Sequence, residues 1–141
     1  MKQLDASEKG ICQFSWSADS RWIAYVRGDD EICIVNVEDG GIRIIGKGVS
    51  PGFGPDNAVV FESDEEIRVA SGAGIRTLVG RDDLNRESPK KLPVVSPDGR
   101  HVVFVVNHVF HKESQSKNAY PWRHFMGMAS LDGDTRPFML D

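Results

Sequence analysis

The chain has 141 residues, 40% of them hydrophobic and 27% charged, with 14 Gly, 7 Pro, two Cys and a formal net charge of −4. That is one domain's worth of apolar content, enough for a packed core, and it excludes both wholesale disorder and a disulfide-stapled miniprotein. No apolar run approaches the roughly 18 residues of a membrane span. Met1 to Gly10 is polar and lacks the layout of a secretory signal, which places the chain in the cytoplasm, or in the periplasm if an export signal has been removed.

In chain order, the first feature is a strand–turn–strand pattern that recurs. Phe14 to Val26, Val49 to Phe61 and Val94 to Val105 each read apolar strand, turn, apolar strand. The turns are Ser17-Ala18-Asp19-Ser20, Gly54-Pro55-Asp56-Asn57 and Ser96-Pro97-Asp98-Gly99. Proline presets φ at the second position, Asp binds the local backbone, and Gly or Asn tolerates the left-handed conformation that reverses the chain. The third copy has the full set and the first is the most degraded, so the first is expected to be the least well specified. Each repeat continues with a second turn, a third β-branched run, a Gly-bearing turn and a fourth run. In the first repeat these are Gly28-Asp29-Asp30, Ile32 to Val37, Asp39-Gly40-Gly41 and Ile42 to Ile45.

The expected architecture is therefore all-β, with three four-stranded antiparallel blades at about 11–48, 49–80 and 92–141 in a single domain. Several strands, among them Trp22 to Val26, Ile32 to Val35 and Val102 to Val106, are apolar at consecutive positions, which predicts burial on both faces. Trp16 and Trp22 are expected in the core, and Cys12 and Cys33 as free, buried small hydrophobes. No second Cys lies close enough to either to suggest zinc, and no segment has the basic excess of a nucleic-acid binder.

The Ser-Pro-Asp-Gly turn, the flanking strands and the Asp-Gly turn after Ile32-Cys33-Ile34-Val35-Asn36-Val37 resemble the PD40 repeat of TolB-like β-propellers over about residues 11 to 141. Families with this repeat include periplasmic scaffold proteins, propeller domains of prolyl-oligopeptidase-type peptidases, and oligogalacturonate lyases. The resemblance implies a fold and leaves the function open. Closed propellers have typically 4–8 blades. Three would leave an apolar sheet face open at each end, and two such arcs can close a six-bladed ring as a homodimer through contacts of blade one with blade three. The alternative is a piece of a larger propeller such as a peptidase gate domain. Ile34 is expected on the outer face of blade one.

In a four-stranded meander the loop between strands two and three and the linker to the next blade emerge at one end. The two longest irregular segments, Gly80 to Lys91 and Asn107 to Arg123, therefore share that end. Together they give it a balance of +3 against the net −4 of the chain. Arg81, Arg86, Lys90, Lys91, His108, His111, Lys112, Trp122, Arg123 and His124 are the candidate ligand-binding residues there, suited to a protein or an anionic ligand. His108, His111 and His124 also admit a metal, as in a lyase or hydrolase acting on anionic sugars. No ligand set is complete in the sequence, however, so no metal or other cofactor is assigned. There is no Gly-x-Ser-x-Gly elbow, no His-Glu-x-x-His and no phosphate-binding loop, so a non-catalytic binding module is the leading expectation.

Overall fold

The computed structural model describes residues 3–5, 8, 10–84, 88–109 and 122–140. Twelve strands form three four-stranded antiparallel meanders. Blade one comprises β1 (Ile11–Trp16), β2 (Trp22–Arg27), β3 (Glu31–Asn36) and β4 (Ile42–Lys47). Blade two comprises β5 (Val49–Phe53), β6 (Val59–Ser63), β7 (Glu66–Ser71) and β8 (Gly74–Val79). Blade three comprises β9 (Lys90–Val95), β10 (His101–Val109), β11 (Trp122–Ser130) and β12 (Phe138–Leu140). The single helical turn among the described residues is the 3-10 turn Pro55–Asn57. β10 and β11 extend further than the sequence suggests, because Asn107–His124, His108–Arg123 and Val109–Trp122 continue the ladder into the expected loop.

Strand alternation sorts the apolar residues between two blade interfaces. Ala24, Val26, Ile32 and Ile34 of blade one meet Val59, Phe61 and Ala70 of blade two. On the other face of blade two, Val60, Ile67, Val69 and Val79 meet Val102, Phe104, Val106 and Ala129 of blade three. The run Ile32 to Val35 is thus buried along its whole length and Val59 to Phe61 of blade two is buried on both faces, whereas Val103 and Val105 of the Val102 to Val106 run are only half-buried, because no blade of this chain covers their face. Ile34 is a correction: its register partner is Ala24, and it faces blade two. The outer face of blade one carries Ile23, Tyr25, Cys33 and Val35, with Leu4 and Ile11 packed beside them.

The innermost strands, β1, β5 and β9, lie against one another in sequence. Each carries a bulge centred on a residue with left-handed φ: Gln13 (55°), Ser50 (54°) and Leu92 (53°). A bulge frees an amide from the ladder. The Ser50 N–H donates to Gln13 Oε1 (2.7 Å) and the Leu92 N–H to Glu62 Oε2 (3.3 Å), so a side chain of the preceding blade satisfies the freed amide each time.

The turns behave differently from expectation. In the first copy the Ser17 hydroxyl donates to Asp19 Oδ1 (2.6 Å) and accepts from the Trp22 N–H (2.9 Å), and the Arg21 N–H donates to Asp19 (3.0 Å). In the third, Ser96, Asp98, Arg100 and His101 repeat those three bonds at 2.5, 3.0 and 3.0 Å. The first turn is therefore as fully built as the third, because Ser and Asp carry the network and Pro is dispensable. Ser20 stands at φ 60° where Gly99 stands at 71°. The middle copy is the divergent one. Gly54 has no hydroxyl to offer, and the chain reverses through two left-handed residues, Asp56 and Asn57.

Candidate functional site

At the end of the stack where the interblade linkers emerge, backbone bonds tie each linker to a β2–β3-type turn. The Gly48 N–H donates to Asp30 O (2.7 Å) and the Lys90 N–H to Glu65 O (3.1 Å), while the Asn107 N–H, within strand β10, donates to Pro89 O (3.1 Å) of the second linker. Here two of the described candidate cations, Arg81 and Lys90, are held by the fold. The exposed Arg81 donates from Nε to Asp64 O (3.0 Å) and lies 4.0 Å from Glu65. Lys90 is a correction: it is fully buried, and its Nζ donates to Arg81 O (2.8 Å). Burial pulls its ammonium below the ordinary lysine value, against the opposing fields of Asp83, Asp82, Glu65 and Glu66. It supports the linker from inside and presents no charge to a ligand. Asp83 does related work by accepting from the Gly80 N–H (2.7 Å).

Lys91 pairs with Val105 on the outer face of blade three. His124 is exposed on that same face, with Nδ1 2.7 Å from Asn107 Oδ1. The backbones of His108, Trp122 and Arg123 lie in the β10–β11 ladder. Arg86, His111 and Lys112 lie outside the described residues. Among the described residues no group of three or more His, Cys, Asp or Glu could hold a metal ion. A groove of about 290 Å³ between blades one and two at this end is lined by Asp29, Asp30, Glu62 and Asp64 with Lys47, a charge opposite in sign to that of the two long loops.

The opposite end carries the Ser-x-Asp turns and a second groove, of about 350 Å³, between blades one and two. Trp22 forms one wall, with the Arg43 guanidinium 5.0 Å from its ring centroid, and Asp56 and Asn57 form the rim. Sequence reasoning missed this groove, since Arg43 and Trp22 are 21 positions apart and come together only through the register of β2 on β3 on β4.

Large apolar side chains are exposed on the outward faces of the first and third blades. On blade one, Phe14, Trp16 and Ile44 are 67%, 59% and 59% exposed. Trp16 is thus no core residue: it shares a face with Ile23, which points away from blade two. On blade three, Val94, Met126 and Phe138 are exposed on the face turned away from blade two. Between Leu4, Ile11, Phe14, Ile23, Tyr25 and Val35 lies a hollow of about 330 Å³. Here the Tyr25 hydroxyl donates to Asp5 (2.5 Å) and Arg27 bridges Asp5 (3.2 Å) and Glu31 (2.9 Å). Burial, and then the bond to Asp5, drive the Tyr25 phenol well above its ordinary value, so it stays a donor. Of the two cysteines, both free, Cys33 is buried and Cys12 exposed.

Neither a family model nor a curated protein sequence matches the chain. Among solved structures, an acylaminoacyl peptidase in complex with Z-Gly-Gly-Phe-chloromethyl ketone superposes with a TM-score of 0.65 at 15% identity, over 92% of this chain and 25% of the peptidase. A puromycin-hydrolyzing peptidase of Mycobacterium tuberculosis superposes with a TM-score of 0.56 at 15% identity, over 88% of this chain and 22% of the peptidase. Both peptidases carry N-terminal β-propellers, and the likeness shows a propeller-like fold. The chain spans about a quarter of the length of the first of them.

Proposed function

We propose that the chain is a non-catalytic β-propeller module of the TolB-like kind, three blades of a ring whose linker-bearing end meets a protein or peptide partner. The observation that carries this reading is the stacking of three four-stranded meanders with an apolar face open at each end. The resemblance in fold to propeller-bearing peptidases supports it. So does the use of Lys90 and Asp83 as internal ties, which leaves those two groups to structure and not to chemistry. A second reading, that the chain is part of the propeller of a larger peptidase, is favoured by its covering only 25% and 22% of the two peptidases. In neither reading does this chain itself cleave a bond.

The test is turnover and metal binding by the purified chain. Acylated and free aminoacyl p-nitroanilides and an anionic oligosaccharide are supplied, with and without Mn or Zn. No turnover and no stoichiometric metal are expected. Turnover, or stoichiometric metal lost in a His111→Ala variant, overturns the non-catalytic reading in favour of a metal-assisted lyase or hydrolase.

A further inference from the structure

The repeats share a rule for how one blade seats on the next. The residue after the equivalent rungs Ala24, Val60 and Val103 of the second strands is Tyr25, Phe61 or Phe104, all buried. Phe61 enters the face of blade one formed by Ala24, Val26, Ile32 and Ile34, and Phe104 enters the face of blade two formed by Val60, Ile67 and Val69. Each blade thus presents an aromatic knob to the blade before it and a receiving face to the blade after it. Tyr25 is the knob left over: its cluster holds no residue of another blade. The receiving face left over is on blade three. Register fixes its residues, because the pairs Ala24–Ile34 and Val60–Val69 of the used faces correspond to Val103–Met128, and the next rung to Val105–Met126.

We infer that the knob face of blade one docks on the receiving face of blade three of a second copy of this chain, twice over, closing a six-bladed ring about a two-fold axis. This deepens the half-ring reading and rests on it. Three observations choose this occupant. Both unmatched halves of the repeat interface are present on one chain, so two copies satisfy all four faces. The hollow beside Tyr25 and Phe14 has aromatic and aliphatic walls, and facing it in the ring would stand Met126, exposed and unbranched, a side chain that fills irregular gaps and favours aromatic neighbours. Charge agrees as well: Asp5, Arg27 and Glu31, net −1, edge the knob face at the linker end. Lys91 and His124 edge the receiving face at that same end. A copy docked upside down would lose that match.

The test uses exposed residues whose change leaves the fold intact, with mass read by light scattering. The wild-type chain is expected at twice 15.6 kDa, and Ile75→Glu, exposed on the outermost strand of blade two, is expected to stay there. Trp16→Glu damages only the knob face and Met126→Glu only the receiving face, so each alone is expected to be a monomer. Mixed in equal amounts they retain one intact blade-one to blade-three contact and are expected to form a two-chain species, at higher concentration than the wild type needs. Pairing lost in only one of the two variants, or two variants that stay monomeric when mixed, overturns the face assignment while leaving a dimer. A monomeric wild type overturns the second copy as occupant and points to further blades of a longer polypeptide. Neither result bears on turnover, which is tested separately.

Discussion

Two glycines separate the contributions of backbone and neighbour at the turn-bearing end. Gly99 (φ 71°) and Gly133 (φ 81°) are both left-handed, but a Cβ at Gly99 would stand 2.6 Å from Pro55 Cγ, whereas nothing lies within 4 Å at Gly133. Gly133→Ala is expected to cost about 1 kcal/mol for the dihedral alone. Gly99→Ala is expected to cost about 1 to 3 kcal/mol more, since the proline ring is anchored in the turn of blade two. Urea unfolding of the two variants gives the difference, and equal losses would show that the turns do not touch. Ser20, already left-handed at φ 60°, leaves no room for the milder effect that a loosely specified first turn implies: Ser20→Val is expected to destabilise as a left-handed β-branched residue does. The turn carboxylates set an acid limit. Ser17 and the Arg21 amide hold Asp19 below its ordinary 3.8, Ser96 and the Arg100 amide do the same for Asp98, and the Asp134 amide and Ser130 for Asp132. Depressed folded values mean that their contribution is complete above that ordinary value and drains away as pH falls below it. Asn at all three positions is expected to flatten the pH dependence of the urea midpoint below pH 4 and leave it unchanged near pH 7.

At the scale of the strand, the interface between blades two and three turns on one close approach. Gly127 pairs with Phe104 across β10 and β11, and a Cβ there would lie 2.5 Å from Phe104 Cε2. The aromatic ring lies over its own neighbouring strand while filling the space against Val60 and Val69. Gly127→Ala is expected to destabilise by about 1 to 3 kcal/mol through the displaced ring. Adding Phe104→Leu should recover part of that loss in a double-mutant cycle, and an additive pair would mean the ring moves freely. The strands themselves were legible because β-branched runs alternate with turns rich in Gly, Asp and Ser, with an Asp-Gly or Pro-Asp pair at one end of several of them. The bulges at Gln13, Ser50 and Leu92 were not, since the left-handed position in each is not a glycine. Their left-handed backbone is fixed by a side chain of the preceding blade, Gln13 or Glu62, for Ser50 and Leu92, a long-range cause that local sequence cannot display. Lys90 misled for a related reason. Its place in a charged run suggested a solvated end, while the linker folded its stem inward onto the Arg81 carbonyl.

For the whole molecule, the repeat told how many blades there are and that two faces stay open, but not which residues stand on which face. A one-residue shift of parity exchanges them, and Ile34 and Trp16 both changed sides on that account. With parity fixed by the register, the open faces carry a thermodynamic consequence. A chain whose native state gains contacts by association has an unfolding midpoint that rises with protein concentration, because mass action favours the folded pair over separate unfolded chains. A thermal midpoint that climbs by several degrees between about 1 and 100 μM is therefore expected, with the Met126→Glu variant showing no such climb. Trp16 supplies an optical readout of the same event. It is 59% exposed in the single arc, and the docked blade would cover it, so its emission is expected to shift to the blue as the concentration rises. Subtracting the spectrum of a Trp16→Phe variant removes Trp22 and Trp122 from the signal. A midpoint and a Trp16 emission both independent of concentration would mean that the knob face stays wet, and that the three blades hold together on their two internal interfaces alone.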